Sequence, residues 1–468
     1  MSFLFISAAH KSSGKTTVSL GLCRALHDRG MKVQAFKKGP DYIDPIWHAQ
    51  ACHQPSYNLD FHMMQEHEIL SLFSRHAALA DISVIEGNKG LYDGMDVEGS
   101  NSNAALAKLL GAPVVLVLDS VGVTRGVAPL ILGYQAFDPA INIVGVILNK
   151  VGGPRHEEKL RAVIERYTDV KVLGAVRLDA DISIVERHLG LVPGNESDQA
   201  ENRIQAIAKR VKAQVDLDAV IEAAKRAELP PNLESSTKKT ERSGSLDASG
   251  LKLAYANDKS FGFYYQEDLD TLRSAGVTMQ PLNTLTDSRL PDIDGLIIGG
   301  GFPEMFIDEL AANQTLRTDI RRAVADGLPV YAECGGLMYL SRSLRWNDKS
   351  GDMVGVIPGD AVMGLRPVGR GYASLVETES APWPVRGNTI PAHEFHYSHL
   401  ENLQSGLTYA YRVLRGQGID GKSDGYVERN LLASYCHRRG SGVQGWIAPF
   451  LNKVDAYRVQ RLAAATLV

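Results

Sequence analysis

The N-terminal stretch FLFISAAHKSSGKTT constrains the fold of this chain more than any other feature. Phe3–Ile6 is a short apolar run typical of a buried parallel strand, residues 7–13 are small or polar, and an amphipathic helix follows from residue 14. A strand, a tight loop and a helix start gather backbone N–H groups and the positive end of a helix around a phosphate. We therefore predict a phosphate-binding loop between this strand and this helix.

Within the loop, Lys15 is expected to contact the β- and γ-phosphates of a nucleotide, and the hydroxyl of Thr16 is expected to bind Mg²⁺. Ala9 stands where the usual motif has its first glycine, so an ordinary strand–helix turn with a solvated lysine stays open as the alternative. The residues expected to bind nucleotide here are Ser13, Gly14, Lys15, Thr16 and Thr17.

The first half of the chain alternates short apolar runs with helical patterns. This rhythm predicts a parallel sheet with helices on both faces and with ligands at the carboxyl ends of the strands. The predicted helices include Asn103–Leu110, capped by Asn101 or Ser102, and Glu157–Tyr167. The further predicted strands are Val33–Phe36, Ile82–Ile85, Val114–Leu118, Ile143–Leu148 and Val170–Val176.

A polar and charged segment, residues 230–250, separates two α/β halves and is predicted to be a flexible linker. The strands Leu251–Tyr255, Gly295–Ile298 and Val330–Ala332 are predicted for the second half. With 468 residues the chain is too long for one core. The predicted domains are residues 1–229 and 251–468.

Composition excludes several classes of protein. A net charge of −4 gives no general attraction to nucleic acid or to an acidic membrane. The four cysteines form no CxxC pair, which argues against a disulfide framework and a structural zinc site. No apolar run reaches transmembrane length and the first residues do not resemble a signal peptide, so a cytoplasmic protein is expected.

Acidic residues follow two of the predicted strands. Asp41 and Asp44 lie in KKGPDYIDP after the second strand, and Glu86 and Asp93 lie in EGNKGLYDG after the third. Carboxylates at strand ends beside a phosphate loop can hold Mg²⁺ or orient a bound group, and Thr16, Asp41 and Glu86 are the predicted metal ligands. Their alternative role is to cap loops and turns. Asn149 follows a later strand and is a weaker candidate, for a hydrogen bond to the edge of the nucleotide base.

In the second half, VYAECGGL is a strand that runs into a helix with Cys334 at the turn. A helix N-terminus favours the thiolate, so Cys334 is a candidate nucleophile, although a buried structural cysteine is the alternative. The glycine loops around it offer N–H donors for an oxyanion, from Gly300, Gly301 and Gly335. His437 is the candidate base, with His393 and His396 as alternatives. No third member of the site is identifiable from the sequence.

Taken together, these strings resemble the cobyrinic acid a,c-diamide synthase family. The resemblance rests on SSGKTT, FKKGPDYIDP, EGNKGLYDG and RHLGLVP in the first half and on FGFYYQEDL, GGGFPE, YAECGG and HEFHYS in the second. It implies a P-loop domain similar to dethiobiotin synthetase, joined to a class I glutamine amidotransferase domain with a flavodoxin-like sheet. It also implies that ATP, Mg²⁺ and glutamine are used to convert acetate carboxylates of a tetrapyrrole into amides.

The resemblance also assigns roles to residues. Lys15 and Thr16 would bind nucleotide and metal, Cys334 would be the glutaminase nucleophile and His437 its base. The acidic positions implicated in substrate activation would be Asp41, Asp44, Glu86 and Asp93.

The chain departs from the family pattern in three places. The family usually has valine at position 38, Val-Met at positions 88–89 and a histidine at position 439, where this chain has Lys38, Asn88-Lys89 and Arg439. The first two differences lie in loops expected to face the acceptor, and a branch that resembles sirohaem amidase is therefore an alternative. A homodimer, a P-loop ATPase without amidation and a tetrapyrrole-binding protein are left open.

Overall fold

A computed structural model describes residues 1–178, 186–187, 190–196, 199–228, 247–385 and 389–466 of the chain. The chain divides into two compact units, Met1–Ser243 and Gly244–Val468. Most of the predicted linker lies outside the described residues, as do two residues of the RHLGLVP string. The predicted domain boundaries therefore stay predictions.

The first unit is built on a seven-stranded parallel sheet in the order β3-β2-β4-β1-β5-β6-β7. A parallel sheet covered on both faces needs strands that are apolar throughout, and all six residues of the central strand β1 are buried. The strands are β1 Phe3–Ala8, β2 Val33–Lys38, β3 Tyr57–Leu59, β4 Ile82–Glu86, β5 Val114–Asp119, β6 Ile143–Val151 and β7 Val172–Arg177, followed by a two-stranded pair, β8 Glu186–Arg187 and β9 Gly190–Leu191.

The helices of this unit begin where polar residues satisfy their first N–H groups. Ser102 caps the predicted helix Asn103–Leu110, because its Oγ accepts a hydrogen bond from the backbone nitrogen of Ala105. The predicted helix at Glu157–Tyr167 starts three residues earlier, at Pro154. The helices are α1 Lys15–His27, α2 Ile43–Cys52, α3 Glu66–Ala77, α4 Asn103–Leu110, α5 Val127–Phe137, α6 Pro154–Tyr167, α7 Ala200–Gln214 and α8 Leu217–Ala224.

The second unit contains a nine-stranded mixed sheet in the order β12-β10-β13-β15-β24-β23-β22-β19-β20. Its five parallel strands have the flavodoxin-like order 2-1-3-4-5, and the four other strands extend the sheet in antiparallel fashion. The strands of this sheet are β10 Lys252–Ala256, β12 Thr278–Leu282, β13 Gly295–Ile298, β15 Val330–Glu333, β19 Gly369–Glu377, β20 Ile390–His396, β22 Thr408–Arg415, β23 Ser423–Glu428 and β24 Leu431–Ser434.

Smaller sheets and five helices complete this unit. A two-stranded pair joins β11 Phe261–Phe263 to β14 Gly300–Gly301, and a four-stranded sheet has the order β17-β16-β18-β21. Within the described ranges, no helix is long and apolar enough to cross a membrane. The remaining elements are β16 Ser341–Trp346, β17 Lys349–Asp352, β18 Ile357–Met363, β21 Ser398–Glu401, α9 Gln266–Ser274, α10 Ile307–Ala312, α11 Gln314–Ala325, α12 Gly335–Leu340 and α13 Ile447–Thr466.

Candidate active sites

The predicted phosphate loop connects β1 to α1 and is held in shape from β6. Gly14 has a φ of +86°, and a Cβ atom there would lie 2.1 Å from Nδ2 of Asn149. Only glycine fits both constraints. Nδ2 of Asn149 donates a hydrogen bond to the carbonyl of Ser13 at 2.8 Å, and Nζ of Lys150 donates one to the carbonyl of Ser12 at 2.7 Å. Asn149 therefore braces the loop, and its predicted contact with a base stays a prediction.

A buried cluster of charges lies at the start of α1. Oγ1 of Thr16 donates to Oε1 of Glu86 at 2.7 Å and lies 3.4 Å from Oδ2 of Asp44. Nζ of Lys37 lies 2.5 Å from Oδ2 of Asp44 and 3.0 Å from Oε1 of Glu86. The carboxyl ends of β2 and β4 pair in register at Lys37 and Glu86, which places these groups together.

The neighbouring charges decide the ionisation of the two carboxyl groups. Burial raises the pKa of Glu86, but Lys37, His48 and Thr16 more than offset it and hold that pKa well below its usual range. Burial and the charge of Asp41 raise the pKa of Asp44 to about 6, although Lys37 acts in the opposite direction. Glu86 is therefore a fixed anion at neutral pH.

His48 holds the second oxygen of Glu86. Its Nε2 lies 2.7 Å from Oε2 of Glu86, and both side chains are fully buried. His48 was not among the site residues predicted from the sequence. Its position in the first turns of α2, directly after the KKGPDYIDP loop, is the signal that could have suggested it.

Asp41 and Asp93 make turn contacts instead of joining this cluster. Oδ1 of Asp41 accepts hydrogen bonds from the backbone nitrogens of Ile43 and Asp44, at 2.9 and 3.0 Å, where α2 begins. Oδ2 of Asp93 accepts one from the backbone nitrogen of Gly90 at 2.8 Å. Asp44 is thus the carboxylate that lies beside Thr16 and Glu86. The predicted metal contact of Asp41 and the predicted activating role of Asp93 stay predictions.

Asn103, which the sequence analysis placed only as the first residue of a helix, organises the loop after β4. It is fully buried, and its Nδ2 donates to Oγ of Ser7 and to the carbonyls of Asn88 and Gly90 at 3.1, 2.5 and 2.9 Å. Its Oδ1 accepts from the backbone nitrogen of Asn88 at 3.1 Å. One side chain therefore fixes the loop that follows Glu86.

The oxygen atoms of Thr16, Glu86 and Asp44 fit a magnesium ion better than a transition metal. Mg²⁺ prefers hard oxygen ligands and is usually held by one or two carboxylates together with waters and substrate phosphates. Among the residues that the structure describes, no group of three or more His, Cys, Asp and Glu side chains is arranged to hold a metal alone. This donor set would thus need nucleotide phosphates to complete the coordination.

The second site surrounds Cys334, at the turn between β15 and α12. This residue has a φ of +48° and a ψ of −101°, an unusual backbone conformation for a residue with a side chain. Its backbone nitrogen donates to the carbonyl of Ser434 at 2.7 Å, which ties the turn to β24. Strained backbone of this kind concentrates at functional sites and turns the side chain out of the strand.

His437 follows β24 and reaches the same turn. Nδ1 of His437 donates to Oε2 of Glu333 at 3.1 Å, and Oε1 of Glu333 accepts from the hydroxyl of Tyr331 at 2.5 Å and from the backbone nitrogen of Arg438 at 2.8 Å. Burial lowers the pKa of His437, but hydrogen bonds with Cys334 and Glu333 raise it to about 10. His437 is therefore hydrogen-bonded to Cys334 on one side and to Glu333 on the other. Glu333 is the third member of the site, which could not be identified from the sequence.

The predicted oxyanion glycines lie around this site. A Cβ atom on Gly300 would be 2.7 Å from Cε1 of His437, and one on Gly335 would be 3.0 Å from the backbone nitrogen of Gly301. Side chains at these two positions would collide with the surrounding site, so the close packing here requires glycine. The role of these glycines in binding an oxyanion stays a prediction.

The two alternative histidines lie beside the site. His393 exchanges backbone hydrogen bonds with His437, and the two ring centroids are 6.4 Å apart. The ring of His396 stacks on Tyr435 with centroids 4.0 Å apart, and its Nδ1 lies 2.8 Å from the carbonyl of Ser398. The ring of His437 hydrogen-bonds with Cys334, which supports His437 as the candidate base.

Two family models match the chain, one for each unit. Residues 5–192 match the CobQ/CobB/MinD/ParA nucleotide binding domain, and residues 252–440 match the CobB/CobQ-like glutamine amidotransferase domain. A nucleotide-binding P-loop domain and a glutamine amidotransferase domain on one chain define a ligase that takes its nitrogen from glutamine.

Relatives similar over the whole length identify the family more closely. A cobyrinate a,c-diamide synthase from Magnetococcus marinus is 46% identical and covers 96% of each chain. The enzymes of that name from Listeria innocua and Methanosarcina acetivorans are 40% and 37% identical, over 93% and 98% of this chain and 96% of each relative. The chain belongs to the cobyrinate a,c-diamide synthase family, as its sequence motifs predicted.

Proposed function

We propose that the protein amidates acetate side-chain carboxylates, a and c, of cobyrinic acid or a near relative, with ATP, Mg²⁺ and glutamine as co-substrates. The observation that carries this proposal is the presence of both sites in a chain 46% identical, over 96% of its length, to a cobyrinate a,c-diamide synthase. Two contacts in the structure support the proposal: the hydrogen bond of Thr16 with Glu86 and that of His437 with Glu333.

The first unit would make the acceptor carboxylate reactive. A carboxylate does not exchange oxygen for ammonia directly, because oxide is a very poor leaving group. Attack of a carboxylate oxygen on the γ-phosphorus of ATP forms an acyl phosphate and releases ADP. Lys15 would bind the β- and γ-phosphates, and Thr16, Glu86 and Asp44 would hold the Mg²⁺, which neutralises the charge on the phosphates when bound. Ammonia then attacks the acyl carbon, and phosphate leaves with the oxygen of the former carboxylate.

The second unit would supply the ammonia. The thiolate of Cys334 attacks the amide carbon of glutamine, and His437 donates a proton to the departing ammonia. A thioester remains on Cys334, and water activated by His437 hydrolyses it to glutamate. Backbone N–H groups of the glycine loops would bind the oxyanion that forms in each step.

Sirohaem is the second candidate acceptor. Lys38, at the end of β2, is a buried cation in the loop region that the sequence analysis assigned to the acceptor. The family usually has valine at this position, and that departure is the observation that favours a different acceptor.

The test is to incubate the purified protein with ATP, Mg²⁺, glutamine and one acceptor at a time: cobyrinic acid, hydrogenobyrinic acid or sirohaem. Each carboxylate that becomes an amide lowers the mass by about 1 Da, and mass spectrometry counts these steps. We expect a product two amidations away from one of these acceptors. Unchanged mass for all three, with glutamine still hydrolysed, would refute the proposal in favour of a binding protein or a non-amidating ATPase.

The nucleophile is tested separately with Cys334→Ala. This variant should lose amidation driven by glutamine but keep part of the activity at high concentrations of ammonium salt, because ammonia then reaches the acyl phosphate from solution. Full use of glutamine by this variant would contradict the assignment of Cys334.

A further inference from the structure

Three lysines at the carboxyl ends of β1 and β2 are buried, with exposed fractions of 7%, 3% and 4% for Lys15, Lys37 and Lys38. Lys37 pairs with Asp44 and Glu86. Across the described residues, no carboxylate lies within 4.0 Å of Nζ of Lys15 or Lys38. A buried cation without a paired anion is costly, so each of these two lysines fits a site that an anionic ligand completes.

Lys15 belongs to the predicted phosphate loop, so the phosphates of a nucleotide account for it, whereas Lys38 lies outside that loop, at the end of β2. Nζ of Lys38 donates to Oδ1 of Asn88, a neutral group, at 3.2 Å. Burial lowers the pKa of Lys38 to about 8, and the charge of Asp60 only partly offsets this effect. Asp60 also accepts hydrogen bonds from the backbone nitrogens of His62 and Met63, both at 2.8 Å. Lys38 is thus a buried donor without a close anion of its own.

The loop that faces Lys38 is held in place by hydrogen bonds. Asn103 binds both the backbone nitrogen and the carbonyl of Asn88, which fixes the residue that contacts Lys38. A Cβ atom on Gly39, whose φ is +87°, would lie 2.9 Å from Nδ2 of Asn88, so this position needs glycine. Lys89 follows on the same loop, and its charge acts on Lys38. Lys38, Lys89 and the amide of Asn88 are therefore the donors that this region offers to an anion.

We propose that Lys38, together with Asn88 and Lys89, binds a second carboxylate of the acceptor, next to the carboxylate that becomes the amide. This inference rests on the proposed function. It makes Lys38 a specificity-determining residue, because an acceptor without a carboxylate at that position would leave the ammonium group buried and unpaired. The group recognised is a carboxylate on the same macrocycle and not a phosphate of ATP.

The test compares Lys38→Met, which keeps the length of the side chain, with Lys38→Arg, which keeps the charge. Kinetics are measured with each acceptor, among cobyrinic acid, hydrogenobyrinic acid and sirohaem, that the wild-type protein amidates. A hydrogen bond to a charged group is worth roughly 1.5–3 kcal/mol, so KM for the acceptor should rise about 10- to 150-fold in Lys38→Met. KM for ATP and hydrolysis of glutamine should stay unchanged, and Lys38→Arg should recover most of the loss. Lys32→Met, which removes an exposed cation just before the opposite end of β2, is the matched control.

The outcomes separate this inference from the proposed function. If the wild-type protein amidates none of the three acceptors, the proposed function fails and the assignment of Lys38 fails with it. If the wild-type protein amidates an acceptor and Lys38→Met has the same KM within twofold, only the assignment of Lys38 is overturned. If Lys38→Met does not fold, Lys89→Met should still raise KM for the acceptor, and an unchanged KM there also overturns the inference.

Discussion

Replacing Glu333 by glutamine tests how the glutaminase site works. Oε2 of Glu333 accepts a hydrogen bond from Nδ1 of His437 at 3.1 Å, which directs Nε2 of the ring away from the carboxylate and towards Cys334. Glutamine keeps the size of the side chain and removes its charge. We expect the imidazolium of His437 to be less stable, so His437 becomes a weaker base towards the thiol of Cys334.

The magnitude follows from the contact that is weakened. A hydrogen bond to a charged group contributes roughly 1.5–3 kcal/mol, and 1.36 kcal/mol corresponds to a factor of ten in rate. The kcat for hydrolysis of glutamine should therefore fall about 10- to 150-fold in Glu333→Gln. The rate at which iodoacetamide alkylates Cys334 at pH 7 should fall in parallel. Amidation with ammonium salt should be unchanged, because it does not use this site.

The matched control is Glu428→Gln. Glu428 also accepts a hydrogen bond from a tyrosine two residues earlier on its strand, Tyr426, at 2.8 Å, just as Glu333 accepts one from Tyr331. The control should keep its glutaminase activity. The reasoning is refuted if Glu333→Gln hydrolyses glutamine at the wild-type rate, or if the alkylation rate at pH 7 does not change while the activity is lost. The second result would indicate a purely structural role for Glu333.

Two further predictions concern the phosphate loop and the charge on His437. Gly14→Ala should abolish binding of ATP, measured by titration calorimetry, while glutaminase activity is retained. The added Cβ atom would lie 2.1 Å from Nδ2 of Asn149, and alanine does not favour a φ of +86°. Normal affinity for ATP in this variant would contradict the prediction. Although burial lowers the pKa of His437, Cys334 and Glu333 raise it to about 10, so the folded protein binds this proton more tightly than the unfolded chain. The resulting stabilisation is complete below about pH 6.5 and is lost as the pH rises through about 10. The difference in unfolding temperature between the wild type and His437→Gln should accordingly shrink from pH 6.5 to pH 10.5, and a constant difference would contradict the assignment.

The phosphate loop and the parallel strands could be predicted from the sequence because their signals are local. Phe3–Ala8 is apolar at nearly every position and is followed at once by the loop, so a few neighbouring residues determine the structure. The helix Asn103–Leu110 was predicted with its observed bounds because Ser102 caps it directly. The strand Tyr57–Leu59 was not predicted, since three residues are too few to show a period.

The antiparallel extension of the second sheet was not predicted either. Its strands bury alternate residues and carry polar side chains, as in Ile390–His396, so they lack the continuous apolar run of a central strand. Their partners also lie far away in the sequence. Register between such strands depends on the assembled core, which a local pattern does not contain.

The site residues that lie in local motifs could be predicted, and those that only the fold brings together could not. Lys15, Thr16 and Cys334 are part of motifs, and the structure places them at strand–helix turns, as predicted. Glu333 could not be assigned because its partner His437 is 104 residues away and is brought near only by the pairing of β15 with β24. Asp41 shows the opposite problem: an aspartate near glycine and proline has the same local pattern whether it binds a metal or only makes turn contacts like those with Ile43 and Asp44, so its metal role stays a prediction.

The central claim is that the acceptor carboxylate is phosphorylated before nitrogen arrives. The most direct test uses an acceptor whose acetate carboxylates carry ¹⁸O, followed by mass spectrometry of the inorganic phosphate released during amidation. The account predicts one ¹⁸O atom in phosphate for every amide formed, because the bridging oxygen of the acyl phosphate leaves with the phosphorus. Phosphate free of ¹⁸O, with the label found instead in AMP or released into water, would contradict this claim.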